Sequence, residues 1–132
     1  ACHKARLTMK YLLFIALGGA AGSVARYSLS LWVQGIWHSA FPLATLLINI
    51  AGSFAIGVVF VLLERQLLHP DWRSVLIVGF LGAFTTFSTF SLEAVTLWES
   101  GQATQALTYM AVSMGLCVLG AGAAIALTRT LA

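Results

Sequence analysis

Four uninterrupted apolar runs, each long enough to cross a bilayer, take up most of this 132-residue chain. A helix needs about 20 predominantly apolar residues to span the roughly 30 Å hydrocarbon layer. The runs over 11–33, 42–63, 74–98 and 103–127 meet that requirement. Arg26 is the one charge of the first and Glu93 the one charge of the third, and the second and fourth carry none. Lipid offers no partner to a backbone N–H or C=O, so runs of this kind must satisfy themselves as helices. The connections over 34–40, 64–73 and 99–102 are short and hold Gly35, Pro70 and Gly101, while Pro42 opens the second run. The expectation is an all-α membrane protein: one domain over 9–132, with four transmembrane helices running alternately up and down. Residues 1–8 differ in character from the rest and stand apart as an N-terminal extension or cloning remnant with no assigned function.

Composition closes off the other classes. Charged residues make up 8% of the chain and hydrophobic ones 60%, against about 25% and 45–50% in ordinary soluble domains. Such a shell cannot keep a soluble enzyme, a disordered tail or a disulfide scaffold dispersed. The net charge of +3 comes from scattered Lys and Arg, with no stripe to neutralise successive phosphates, so no nucleic-acid partner is expected. Cys2 and Cys117 stand at no recognised metal spacing from His3, His38 or His69, and Cys117 is read as a packing residue. The first run is too long for a signal peptide, and its Gly18-x-x-x-Gly22, like Ser53-x-x-x-Gly57 in the second, suits close helix packing.

With four spans, the N-terminus, the second connection and the C-terminus share one membrane side. That side holds Lys4, Arg6, Lys10, Arg65, Arg73 and Arg129, leaving Arg26 for the other. Lys and Arg gather on the cytoplasmic side, so both termini are expected there.

Polar side chains inside lipid are costly, and they mark the places to search for function. Thr45, Asn49 and Ser53 recur every four residues and share one helix face. They either bond neighbouring helices together or line a path. Gln105, Tyr109 and Ser113 repeat the spacing in the fourth span. The third span is the least ordinary: from Gly79 to Ser91 it packs hydroxyls and aromatics around Gly82 and Thr85-Thr86. It is either a tightly packed continuous helix or a broken one whose freed carbonyls hold an ion. Phe87 and Phe90 lie three apart on one face, as core packing or as ring edges. An aromatic edge is electropositive and can face a small anion. No Lys or Arg stands at mid-depth, and a full positive charge would hold an anion too tightly to release it. Arg26 and Glu93 fall towards the same membrane side, each reaching for the interface or the two lining an aqueous vestibule.

Three stretches together carry a resemblance: Gly18-Gly19-x-x-Gly22-x-x-x-Arg26-Tyr27, Pro42-x-x-Thr45-x-x-x-Asn49-x-x-Gly52-Ser53-Phe54, and Gly79-Phe80-x-Gly82-x-x-Thr85-Thr86-Phe87-Ser88-Thr89-Phe90-Ser91-x-Glu93. From Met9 onwards the chain resembles the Fluc (CrcB) family of fluoride channels. The resemblance implies a four-helix subunit with a break in the third helix, paired with an identical copy in inverted orientation as a dual-topology homodimer. It implies a structural sodium ion at the dimer centre, held by the backbone carbonyls of Gly82 and Thr85. It implies a fluoride pore lined by Asn49, Phe87 and Phe90, with Ser88, Thr89, Tyr109 and Ser113 as a polar track and Arg26 and Glu93 in the vestibule. Ala83 stands where the family pattern leads one to expect glycine. The one-sided Lys/Arg distribution also sits awkwardly with inverted pairing.

The function so implied is passive, fluoride-selective efflux that lowers cytoplasmic fluoride, in a multi-pass protein of the bacterial inner (plasma) membrane. It is not an enzyme, and its partners are the fluoride ion, the lipid bilayer and a second copy of itself. Two other readings belong to different classes. A small proton-coupled drug exporter needs a carboxylate deep in a chamber, which only Glu93 offers. A non-transporting structural subunit predicts that Asn49, Phe87 and Phe90 can be exchanged without effect once volume is kept.

Overall fold

A computed structural model describes residues 2–132; Ala1, the first residue of the 1–8 extension, lies outside them. The described chain is all helical, with α1 over Cys2–Ile36, α2 over Leu43–Glu64, a π-helical segment over Arg73–Leu81, α3 over Gly82–Phe84, α4 over Phe87–Glu99 and α5 over Ala103–Leu131. Four helical stretches are long and apolar enough to cross a membrane: Cys2–Ile36, Leu43–Glu64, Arg73–Glu99 and Ala103–Leu131. Residues 2–8 continue the path of α1, so that helix has 35 residues and a length of ~52 Å at 1.5 Å each.

Polar contacts tie the chain ends to the second connection. Lys10 Nζ pairs with Asp71 Oδ2 at 2.8 Å, and the Arg129 guanidinium grips both carboxylate oxygens of Glu64. The ammonium of Lys10 holds the Asp71 carboxyl below the usual carboxylate range. Arg65 donates to the carbonyls of Arg129 and Ala132. The start of α1, the end of α2 and the end of α5 therefore meet at one end of the bundle, as the short connections require. The 64–73 connection opens with a reversal in which Leu67 N–H bonds to Leu62 O and Gln66 N–H to Leu63 O. Gln66 closes it with φ of 58°, a left-handed conformation that suits glycine better.

Two tight seams set the helix order: α2 lies along α5, and α1 lies along the π segment. The glycines are what allow the second. A Cβ on Gly79 would stand 2.8 Å from the Ile15 carbonyl oxygen, and one on Gly22 would collide with the Phe80 backbone. Gly57 lets α5 approach in the same way, since its Cβ would lie 2.7 Å from the Ala121 carbonyl oxygen. The small-residue spacings noted in the sequence thus serve packing within one chain.

The buried residues form two clusters on either side of the interruption in the third span. Leu46, Ala94, Leu97, Ala106 and Tyr109 join α2, α4 and α5, while Ile48, Leu81 and Phe84 join α2 to the segment before the interruption. Much of the remaining apolar surface is exposed, with Leu17, Phe87 and Met114 each at least 70% accessible.

Candidate functional site

The third span is broken at Thr85 and Thr86. Both are extended, with φ/ψ of −82°/154° and −148°/120°. The break is held open by specific partners. Thr86 N–H donates to Asn49 Oδ1 at 2.8 Å, and Asn49 Nδ2 donates back to the Thr86 carbonyl at 3.1 Å. The carboxamide of α2 therefore replaces a helical peptide neighbour for Thr86. The Thr86 hydroxyl caps α4 by accepting the N–H of Thr89 at 3.2 Å. Gly52, one turn beyond Asn49, leaves room for the Thr85 methyl, which a Cβ there would strike.

In an unbroken helix the Thr86 and Thr89 N–H groups would bond to the carbonyls of Gly82 and Thr85. Here both N–H groups are engaged by side chains, which strands those two carbonyls. Arg26 Nε donates to the neighbouring Ala83 carbonyl at 3.1 Å. Gly82 and Thr85 thus offer neutral oxygens, a donor set that suits a hard cation. Among the described residues no cluster of His, Cys, Asp and Glu offers a competing metal site.

Beside the break lies an open groove of about 360 Å³. It brings together Gly82, Thr85, Asn49, Phe87, Phe90 and Ser113 from the sequence-predicted set. Ser53, on the same face as Asn49, also lines it, together with Met114 and Cys117, which packing alone would not have singled out. Among the described residues no charged side chain lines the groove. Phe87 is 78% exposed and its ring lies 5.5 Å from that of Phe90, tilted by 46°. Phe90 in turn packs on Tyr109 at 5.0 Å. Ser113 is buried with its hydroxyl unpartnered among the described residues.

The remaining candidates lie off the groove. Ser88 is exposed, with its hydroxyl 3.5 Å from that of Thr86, and Thr89 sits in the first turn of α4. Tyr109 is fully buried, and its hydroxyl donates to Glu93 Oε1 at 3.1 Å. Arg26 and Glu93 do not meet. The vestibule pairing open to them in the sequence is replaced by two separate attachments, Arg26 to the break and Glu93 to Tyr109. The freed carbonyl of Ala83 is a nearby acceptor whose presence depends on the break, and spacing within the spans cannot reveal it. Glu93 lines a second cavity at the opposite end of α4 from the groove.

The family model for CrcB-like protein, Camphor Resistance (CrcB), matches residues 13–125. A protein of Hahella chejuensis is 47% identical over 124 residues, covering 93% of this chain and 98% of its own. One from Saccharophagus degradans is 47% identical over 121 residues, covering 90% of each chain. A protein of Rhizobium meliloti is 42% identical over 124 residues, covering 93% of this chain and 99% of its own. All three carry the name fluoride-specific ion channel FluC.

Proposed function

The chain belongs to the CrcB family, and from that membership we propose that it is a fluoride-selective channel, not an enzyme, in the bacterial inner membrane. The observation that carries the reading is the groove at the break: Asn49, Phe87, Phe90 and Ser113 converge on a space without a charged side chain. Such a lining offers an anion amide, hydroxyl and ring-edge contacts that are strong enough to replace water and weak enough to let go.

Fluoride enters cells as neutral HF, which ionises in the less acidic cytoplasm and is trapped as the anion. A passive pore returns it. The membrane potential contributes roughly 2.3 kcal/mol per 100 mV for one charge, an outward bias of about 40–50-fold. The sequence holds no Gly-x-x-x-x-Gly-Lys-Ser/Thr phosphate loop, and this mechanism needs none.

The carbonyls of Gly82 and Thr85 would hold a sodium ion, since the bonds made by Thr86 and Thr89 leave them without helical partners. When bound, the ion would supply positive potential beside the groove. The chain's own part is to keep those oxygens free, through Asn49 and the Thr86 cap. A second copy in inverted orientation would close the groove's open side, where Phe87 stands 78% exposed, and bring two further carbonyls to the same ion.

The test is efflux from liposomes holding the purified protein, followed with a fluoride electrode and with chloride run in parallel. Rapid fluoride release with negligible chloride release is the expected result. A folded protein that releases neither, or both alike, overturns the proposal.

A further inference from the structure

Two sulfur atoms belong to the wall of the groove at the break. Met114 and Cys117 both line it, from positions three apart on α5. Helix residues three apart are neighbours, with Cβ atoms about 5–6 Å from one another. Cys117 is a free, partly exposed thiol, and Met114 is 72% exposed. Neither belongs to the two buried clusters that hold the helices together.

A third group in the same wall lacks a partner. Ser113 is 6% exposed, and its hydroxyl bonds to nothing among the described residues. It precedes Cys117 by one helical turn, which brings its proton within reach of the Cys117 sulfur once that sulfur has lost its own.

The chemistry of this wall decides what it can hold. Thiolate and thioether sulfur are soft donors that select soft ions, whereas hard ions prefer oxygen. With no charged side chain in the groove among the described residues, an ion that kept its full charge there would stand unpaired. A silver(I) ion avoids that cost by displacing the thiol proton. The S–H bond of Cys117 breaks, an S–Ag bond forms, the proton leaves to water and no oxidation state changes. Silver and thiolate together are neutral, and the Met114 thioether adds a lone pair without losing a proton. We propose that Met114 and Cys117 form a binding site for a soft monovalent metal ion, with silver(I) as its probe.

This sulfur pair differs in kind from Gly82 and Thr85, which also border the groove and present hard carbonyl oxygen. Binding itself is independent of the channel reading; its consequence rests on that reading. Asn49, Phe87 and Phe90 line the same groove, so an ion held on sulfur narrows the space through which fluoride would pass.

Calorimetric titration of the full chain in detergent with silver nitrate, in chloride-free buffer, tests the site. Cys2→Ser supplies the background, since Cys2 is the other free thiol and is exposed at the start of α1. Expected is saturable binding of one ion per chain, with one proton released for each. On that background Cys117→Ser should abolish the proton release and weaken binding at least a hundredfold. Met114→Leu should weaken binding at least tenfold. Its position is exposed, so it carries the test alone should Cys117→Ser fail to fold. A large excess of sodium nitrate should leave the silver affinity unchanged. No saturable binding, affinity unchanged in either variant, or displacement of silver by sodium overturns the proposal. Micromolar silver should also slow fluoride release from liposomes, each protein being compared with its own silver-free rate, and excess dithiothreitol should reverse the slowing. Binding without slowing would uphold the site and place fluoride's route away from this wall. Absence of fluoride release before silver is added would count against the channel and leave the titration standing.

Discussion

Both ends of the Asn49 carboxamide meet the backbone of Thr86, and this one exchange explains why a polar residue stands at mid-span in α2. Asn49→Ala would leave a donor and an acceptor unsatisfied, at about 1–3 kcal/mol for each buried group. A drop in thermal unfolding temperature in detergent, together with loss of fluoride efflux, is the expected outcome. Asn49→Asp still accepts from Thr86 N–H but cannot donate to its carbonyl, and it sets a negative charge in the groove. It should abolish efflux even where the fold survives. Phe90→Ile separates ring chemistry from volume. Its ring contacts Tyr109 at 5.0 Å and Phe87 at 5.5 Å, and isoleucine keeps bulk there without an electropositive edge. Efflux is expected to fall at least tenfold with the unfolding transition and elution volume near wild type; unchanged efflux would remove the ring-edge argument. The polar face of Asn49 was legible because spacing of four places Thr45, Asn49 and Ser53 in line. Its partner was not, since helical periodicity gives a face and says nothing of which residue of another helix waits opposite.

Hydropathy made the four spans legible, because a continuous run of apolar residues has few alternatives in lipid. It left open how the third span is wound. The segment Arg73–Leu81 is π-helical, and an apolar run carries no marker that separates a five-residue hydrogen-bond step from a four-residue one. The break after it was foreshadowed by Gly82 and Thr85-Thr86, yet the residues that keep it open lie on α2, outside any local pattern. The glycine seam gives a prediction at this scale. Gly22→Ala drives a Cβ into the Phe80 backbone, which no side-chain rotation relieves, so α1 and the π segment must separate. Gly35→Ala, with open space around it near the end of α1, should be neutral or stabilise by about 0.5–1 kcal/mol. Unfolding of the two variants in the same detergent compares them directly, and equal stability would contradict the seam. Gln66→Gly should also stabilise, by about 1 kcal/mol, because it relieves a left-handed residue at the end of α2.

For the whole molecule the open question of assembly meets the distribution of charge. The structure places Lys10, Arg65 and Arg129 at one end of the bundle, in contacts with Asp71, Glu64 and the carbonyls of Arg129 and Ala132. Those contacts lower the exposed charge of the folded chain. Insertion, however, responds to Lys and Arg near the ends of the spans and hardly to acidic residues. The bias of six against one therefore acts in full while the chain is being inserted. Inverted pairing needs some copies to enter against it. Fusing a cytoplasm-active fluorescent reporter and a periplasm-active phosphatase to the C-terminus, in separate experiments, measures the two populations. Both reporters are expected to give signal, with the fluorescent one in excess. Lys4→Gln with Arg6→Gln removes two basic residues from the majority side and should move the ratio towards equality without touching the groove. Phosphatase silence in cells whose membranes still carry fluoride-selective efflux would overturn inverted pairing, since every copy would then face one way. The open side of the groove beside Phe87 would in that case have to be closed by a parallel neighbour, which cannot bring the two breaks together across an axis lying in the membrane plane.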